Sequence, residues 1–113
     1  MIVYGIPDCD SVKRARAWLA KQRIDADFHD FKKRGVPSGR LDAWIAAVGW
    51  EALVNRKGTT WRQLDDAARA AVRDAASARA VMLAHPSVIK RPVIEWPEGA
   101  VTVGVETERW PLP

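Results

Sequence analysis

The order of the hydrophobic patterns along the chain is the feature that most restricts its fold. Residues 2–6, Ile-Val-Tyr-Gly-Ile, are mostly β-branched or aromatic and are followed by Pro7, which predicts a short buried strand. Apolar residues then recur at helical spacing over 11–22, and residues 26–31 alternate apolar with polar. The first third of the chain therefore predicts a strand, a helix and a second strand in that order.

The middle of the chain changes to a helical pattern. Residues 41–48 and 65–83 are rich in Ala, Leu, Arg and Asp with helical periodicity, which predicts two helices. The expected boundaries are an N-cap at Ser38, a stop at Gly49, a turn over 55–61 and a second helix opening at Asp65 or Asp66.

The last third returns to a strand pattern. Residues 93–96 and 101–103 are apolar runs separated by Pro-Glu-Gly-Ala, which predicts an antiparallel hairpin. The whole order, strand-helix-strand, helices, then two strands, predicts an α/β layer structure with a mixed sheet. With 113 residues, 48% of them hydrophobic, and no long linker, the chain 1–113 is expected to form a single domain.

Composition narrows the setting in which this chain works. One cysteine cannot form an internal disulfide, which favours a reducing compartment, most simply the cytoplasm. We expect neither export nor membrane insertion, because no signal-like start and no apolar run of roughly 18 residues is present. The net charge is +4, but the only dense basic cluster is Lys32-Lys33-Arg34, so the charge pattern does not favour nucleic acid as a partner.

The single cysteine, Cys9, stands at the junction between the first strand and the helix. There the unpaired backbone N–H groups and the helix dipole favour a thiolate, and Lys13 and Arg14 add positive charge one turn on. The two flanking aspartates act in the opposite direction, and we expect a lowered pKa. The alternative is that Cys9 is a small apolar filler. No Cys-x-x-Cys is present, so a disulfide from Cys9 requires an outside thiol.

Three motifs together carry a family resemblance. "YGIPDCDSVKRA", "LVNRKGTTWRQL" and "HPSVIKRPVIEW" resemble the thioredoxin-fold arsenate reductase family, closest to its YffB-like branch and more distantly the Spx regulators. The resemblance implies a thioredoxin-like mixed sheet of four strands. It also implies a helical insertion, at about residues 38–85, between the βαβ and ββ halves.

The resemblance also implies roles for individual residues. Cys9 matches the family's nucleophile, and Arg91-Pro92 matches an arginine followed by a cis-proline that faces it, so we predict that this segment folds back beside Cys9. Arsenate-reducing members use two further arginines, and these positions fall on Asn55 and near Gly104. The resemblance therefore preserves the nucleophile while leaving the oxyanion pocket incomplete.

These matches favour a glutathione- or glutaredoxin-dependent thiol reductase acting on a small-molecule or disulfide substrate. Glutathione carries two carboxylates, which Lys13, Arg56, Lys57 and Arg91 could anchor. A true arsenate reductase and a non-enzymatic, Spx-like regulator that binds RNA polymerase are the alternatives. No metal and no tightly bound cofactor is expected. His29 and His85 are expected to be structural, and Trp61 to line a pocket.

Overall fold

A four-stranded sheet forms the centre of the N- and C-terminal parts of the chain. The structure, a computed structural model, describes residues 1–112. The strands are β1 (Ile2–Gly5), β2 (Asp27–Asp30), β3 (Val93–Glu95) and β4 (Val101–Val103), in the order β2-β1-β3-β4. β1 is parallel to β2, whereas the β1–β3 and β3–β4 pairs are antiparallel. The predicted mixed sheet with a C-terminal hairpin is confirmed.

Helix α1 (Asp10–Lys21) connects the two parallel strands. Its buried residues, Val12, Ala15 and Leu19, lie on one face at spacings of three and four. Ala15 and Leu19 share a hydrophobic cluster with residues of the sheet and the C-terminal segment: Val3, Ile94, Trp96 and Trp110. The apolar stripe of α1 therefore holds the helix, and with it the residues at its N-terminus, against the sheet.

The segment between β2 and β3 is helical, as the resemblance implied. Its helices are α2 (Phe31–Arg34), α3 (Ser38–Val48), α4 (Trp50–Leu53), α5 (Thr59–Gln63), α6 (Asp66–Ala70) and α7 (Ala75–Ala84), followed by a 3₁₀ turn at Pro86–Val88. No helix within residues 1–112 is long and apolar enough to cross a membrane.

The chain divides into two compact units. The sheet unit comprises Met1–Gly35 and the chain from Arg91 onward, and the helical unit comprises Val36–Lys90. The core of the helical unit contains Leu41, Trp44, Leu53, Met82 and Ile89, all fully buried. That residues 1–113 form a single domain stays a prediction.

Three predicted boundaries in the helical unit were wrong. Ser38 is the first residue of α3 instead of its N-cap, because Pro37, with extended backbone, occupies the cap. The single helix predicted over 65–83 is divided into α6 and α7. The reason is a capping box, in which the Asp74 carboxylate accepts from the Ser77 N–H at 2.9 Å and the Ser77 hydroxyl accepts from the Asp74 N–H at 3.0 Å.

The third boundary is the turn predicted over 55–61. Only its first part is a turn, because α5 begins at Thr59. The backbone N–H of Gly58 donates to the carbonyl of Asn55 at 3.2 Å, which closes the turn just before the helix starts. The predicted stop at Gly49 and the predicted opening at Asp65, whose carboxylate caps α6, are confirmed.

Close packing between β1 and α1 gives the first testable prediction. A Cβ added at Gly5 would lie 2.6 Å from Val12 Cγ2, so we expect Gly5→Ala to lower the free energy of unfolding by about 1–3 kcal/mol. In a Val12→Ala background the same change should cost about 1 kcal/mol less or better, because the clashing methyl group is gone. Urea unfolding of the four proteins checks this, and strictly additive effects would contradict it.

Candidate functional site

Cys9 is the N-cap residue of α1, as the sequence predicted. Its backbone is extended, with φ −79° and ψ 127°, and its carbonyl accepts the first helical hydrogen bond, from the N–H of Lys13, at 2.9 Å. The N–H of Cys9 donates to the carbonyl of Ile6 at 3.2 Å, which fixes the turn between β1 and the helix. The side chain is half-buried, so its sulfur remains partly accessible to solvent.

Several groups act on the charge of the Cys9 sulfur. Partial burial raises the pKa of the thiol, because it disfavours the thiolate. The backbone N–H of Val12, the Arg91 side chain and the N–H of Ser11 act in the opposite direction, by hydrogen bonding and, for Arg91, also by its positive charge. The lowering contributions are larger together, so the pKa of Cys9 lies below its ordinary value, as predicted.

The cations and acids near Cys9 in sequence do not have the predicted effect on it. Lys13 and Arg14 are exposed on α1, and the positive charge that lowers the pKa of Cys9 belongs to Arg91. Asp8 forms an ion pair with Lys32 at 3.2 Å, in which both side chains are more than half exposed. The prediction that local charges set the ionisation of Cys9 was therefore wrong, because a residue 82 positions away (91 − 9) supplies the charge.

Arg91 reaches Cys9 because of strand pairing. Tyr4 of β1 is opposite Val93 of β3 in an antiparallel pair. The residues that precede β3 consequently run beside the residues that follow β1, where Cys9 lies. The peptide bond between Arg91 and Pro92 is cis, which confirms the prediction made from the resemblance. Pro92 is buried, and its carbonyl accepts from the N–H of Gly104 at 2.9 Å.

The two other positions of the arsenate-reducing pattern do not supply cations. Gly104 is buried and has φ +83°, a backbone conformation that favours glycine and strains an arginine. Asn55 belongs to the helical unit, where its Oδ1 accepts from the backbone N–H of Lys57 at 3.2 Å. Asn55 thus stabilises a turn, and Gly104 sits beside Pro92 with no charge to offer.

Arg56 and Lys57, the other predicted binding residues, are exposed residues of the helical unit. The Arg56 guanidinium lies 5.7 Å from the ring centre of Trp50 and 5.9 Å from that of Trp61. Trp61 therefore flanks Arg56. A depression of about 300 Å³ beside them, called the basic depression below, is lined by Glu51, Ala52, Val54, Asn55, Arg56, Lys57 and Lys90.

Sequence reasoning missed Glu51 and Lys90 as members of this depression. They come together because Val54 and Ile89 form an isolated antiparallel bridge and the N–H of Lys90 donates to the Leu53 carbonyl at 2.7 Å. A single bridge between residues 35 positions apart (89 − 54) leaves no periodic pattern in the sequence. Only the net basic character of 56–57 hinted at an anion site.

The histidines have no printed contact with Cys9. Nε2 of His29 lies 2.8 Å from the carbonyl oxygen of Gly35, and its ring is 5.1 Å from that of Tyr4, while His85 is exposed after α7. Both positions agree with structural roles. Within residues 1–112, no group of three or more His, Cys, Asp or Glu side chains could hold a metal ion.

Comparison with protein families gives one match, to the ArsC family model over residues 4–111. An uncharacterized protein of Haemophilus influenzae is 40% identical over 92 residues, which are 81% of this chain and 80% of that protein. The global transcriptional regulator Spx of Streptococcus pyogenes is 25% identical over 78% of this chain and 66% of its own length.

Solved structures give closely similar folds. A YFFB protein is 42% identical, with a TM-score of 0.86 over 95% of this chain and 92% of that protein. An arsenate reductase related protein from Brucella melitensis is 48% identical, with a TM-score of 0.75 over 95% of this chain and 88% of that protein. These neighbours confirm the thioredoxin-like fold.

The pairing of Cys9 with Arg91 gives a pH-dependent prediction. Because the thiolate is the reactive form, its lowered pKa should place the midpoint of iodoacetamide alkylation below that of a free thiol, which is about pH 8.5. Arg91→Ala removes a charge and a hydrogen bond to the thiolate, so the midpoint should rise, and Arg91→Lys should raise it less. The exposed Arg109, changed to Ala, serves as the control. An unchanged midpoint in Arg91→Ala would contradict the assignment.

Proposed function

Because the chain belongs to the ArsC family, we propose that it is a thiol-dependent reductase in which Cys9 is the nucleophile. The observation that carries this proposal is the convergence of the Arg91 side chain and the N–H groups of Ser11 and Val12 on the Cys9 sulfur. A thiolate held in this way attacks at neutral pH without a general base. The position of His29, bonded to a backbone carbonyl, agrees with a mechanism that needs no histidine.

The proposed reaction is a thiol–disulfide exchange. The Cys9 thiolate attacks one sulfur of a disulfide substrate, the S–S bond of the substrate breaks, and the second half leaves as a thiolate that takes a proton from solvent. Cys9 is then in a mixed disulfide. A glutathione thiolate attacks this disulfide, forms a new S–S bond with the bound half and releases Cys9 as the thiolate. The substrate is reduced by two electrons, which two external thiols supply.

An external thiol is needed because Cys9 is the single cysteine of the chain. We propose glutathione as the co-substrate, with glutaredoxin as an alternative reductant of the mixed disulfide. Arg91 serves in this proposal as the group that stabilises the Cys9 thiolate as it leaves, and Pro92 fixes the backbone that presents Arg91. Lys13, exposed one turn into α1, and Arg56 and Lys57 of the helical unit are proposed to attract the carboxylates of the thiol.

Reduction of arsenate is the less well supported enzymatic alternative. A tetrahedral oxyanion is best held by several guanidinium groups, and only Arg91 of the three expected arginines is present. Asn55 is engaged in a turn, and the backbone of Gly104 disfavours a longer side chain. The arsenate reductase of Vibrio cholerae, at 22% identity and a TM-score of 0.60, shares the fold.

Turnover of a model disulfide tests the proposed function. With 2-hydroxyethyl disulfide, glutathione and an NADPH-coupled glutathione reductase, we expect catalysis by the wild-type chain and a loss to the uncatalysed rate in Cys9→Ser. Arg91→Ala should lower the rate at pH 7 by about 10-fold or more, because less thiolate forms and the leaving thiolate is less stabilised. Replacing the disulfide by arsenate should give no turnover. Equal rates for wild type and Cys9→Ser would contradict the proposal.

The similarity to Spx favours a second candidate function, a transcriptional regulator. Under this alternative the chain binds RNA polymerase and does not turn over a substrate. Immobilised chain should then retain purified RNA polymerase, equally for wild type and for Cys9→Ser. We expect no retention, because the Cys-x-x-Cys that forms the redox switch of such regulators is absent here, where Ser11 and Val12 follow Cys9 and Asp10.

A further inference from the structure

The basic depression of the helical unit carries an unusual combination of charges. Arg56, Lys57 and Lys90 contribute three positive charges, and Glu51 contributes one negative charge to the same lining. Within residues 1–112, no ion pair joins any of these four side chains to another residue. Three cations and one carboxylate therefore face the same concave surface without neutralising one another through direct contacts.

The main chain holds both sides of the basic depression in place. On one side, the N–H of Asn55 donates to the carbonyl of Val88 at 2.8 Å, and on the other the N–H of Lys90 donates to Leu53 at 2.7 Å. These bonds extend the bridge between Val54 and Ile89, which are both buried. The backbone spacing of Arg56, Lys57 and Lys90 is thus set by the core of the helical unit, although their side chains are exposed.

Arg56 and Asn55 are further restricted by their surroundings. The Arg56 guanidinium lies within 6 Å of the indole rings of both Trp50 and Trp61, at 5.7 and 5.9 Å. Such contacts limit the orientations of the guanidinium before a ligand arrives. The Asn55 carbonyl oxygen accepts from Lys57, which leaves its NH₂ group as a hydrogen-bond donor at the lining.

We propose that the basic depression binds the zwitterionic γ-glutamyl end of the thiol substrate, its α-carboxylate and α-ammonium together. This inference rests on the proposed function, and it names the part of the thiol that is recognised. The carboxylate pairs with the Arg56 fork and is attracted by Lys57 and Lys90, while the ammonium pairs with Glu51. A planar carboxylate matches the guanidinium in two parallel hydrogen bonds, and the single acid accounts for the adjacent positive group.

Glu51 distinguishes this ligand from a simple oxyanion. A phosphate or arsenate ion would gain from the three cations, but it would also be repelled by the Glu51 carboxylate at the same surface. An amino-acid head group satisfies both signs of charge. The depression should therefore prefer a ligand that carries an ammonium beside its carboxylate over a bare tetrahedral anion.

Calorimetric titration with S-methylglutathione tests the proposal, because this ligand keeps the γ-glutamyl end and cannot react with Cys9. We expect binding by wild type and by Cys9→Ser with equal affinity, and about 10-fold or more weaker binding by Arg56→Ala. Arg56→Lys should restore part of the affinity. The matched control is Arg73→Ala, which removes an exposed arginine of the helical unit that does not line the depression.

A second ligand isolates the role of Glu51. N-acetyl-S-methylglutathione lacks the ammonium, so it should bind wild type several-fold more weakly than S-methylglutathione, and Glu51→Gln should abolish this preference. Equal binding of the two ligands by wild type, equal binding of S-methylglutathione by wild type and Arg56→Ala, or equally tight binding of phosphate would each overturn the proposal. Circular dichroism melting confirms that the variants are folded. Normal binding with an unreactive Cys9 would instead contradict the proposed reductase function alone.

Discussion

The antiparallel pairing of β1 with β3 is the constraint on which the chemistry of this chain depends. β1 ends just before Cys9, and β3 begins just after Arg91 and Pro92. The register that places Tyr4 opposite Val93 brings the ends of these two segments to the same edge of the sheet. Two residues that are 82 positions apart (91 − 9) consequently share a hydrogen bond, and the thiol acquires a cationic partner that its own helix does not supply.

Cys9 shows how a half-buried thiol becomes reactive. Burial alone would favour the neutral thiol and leave an inert side chain, which is the ordinary state of a cysteine in a protein core. Here the donors at the start of α1 and the guanidinium of Arg91 compensate for the lost hydration of the thiolate. The same apolar stripe, through Ala15 and Leu19, packs α1 on the sheet unit and so holds those donors in position.

Asn55 and Gly104 show that one fold can lose an oxyanion pocket and keep its nucleophile. At Gly104 the left-handed backbone makes an arginine costly, and at Asn55 the side chain is used to close a turn. In the helical unit the available cations instead surround a depression that also contains Glu51. Charge of mixed sign suits an amino-acid head group better than a bare anion, which is consistent with a thiol co-substrate.

The sequence by itself determined the order of the elements and the position of the nucleophile. The strand and helix periods, the hairpin link and the junction at Cys9 are local properties, because each depends on residues a few positions apart. It failed where a competing local interaction decided the outcome: the capping box of Asp74 and Ser77 divided a helix that periodicity alone predicted as continuous. The resemblance, and not the pattern of residues, supplied Arg91 and its cis-proline.

Only the tertiary structure decided which charges act together. Lys13 and Arg14 are neighbours of Cys9 in sequence, yet Arg91 is the cation that lowers the pKa of its thiol. Glu51 and Lys90 line one depression because a single bridge joins Val54 to Ile89. Electrostatic interactions depend on distance in space, and strand register and isolated bridges, which set that distance, leave no periodic trace in the chain.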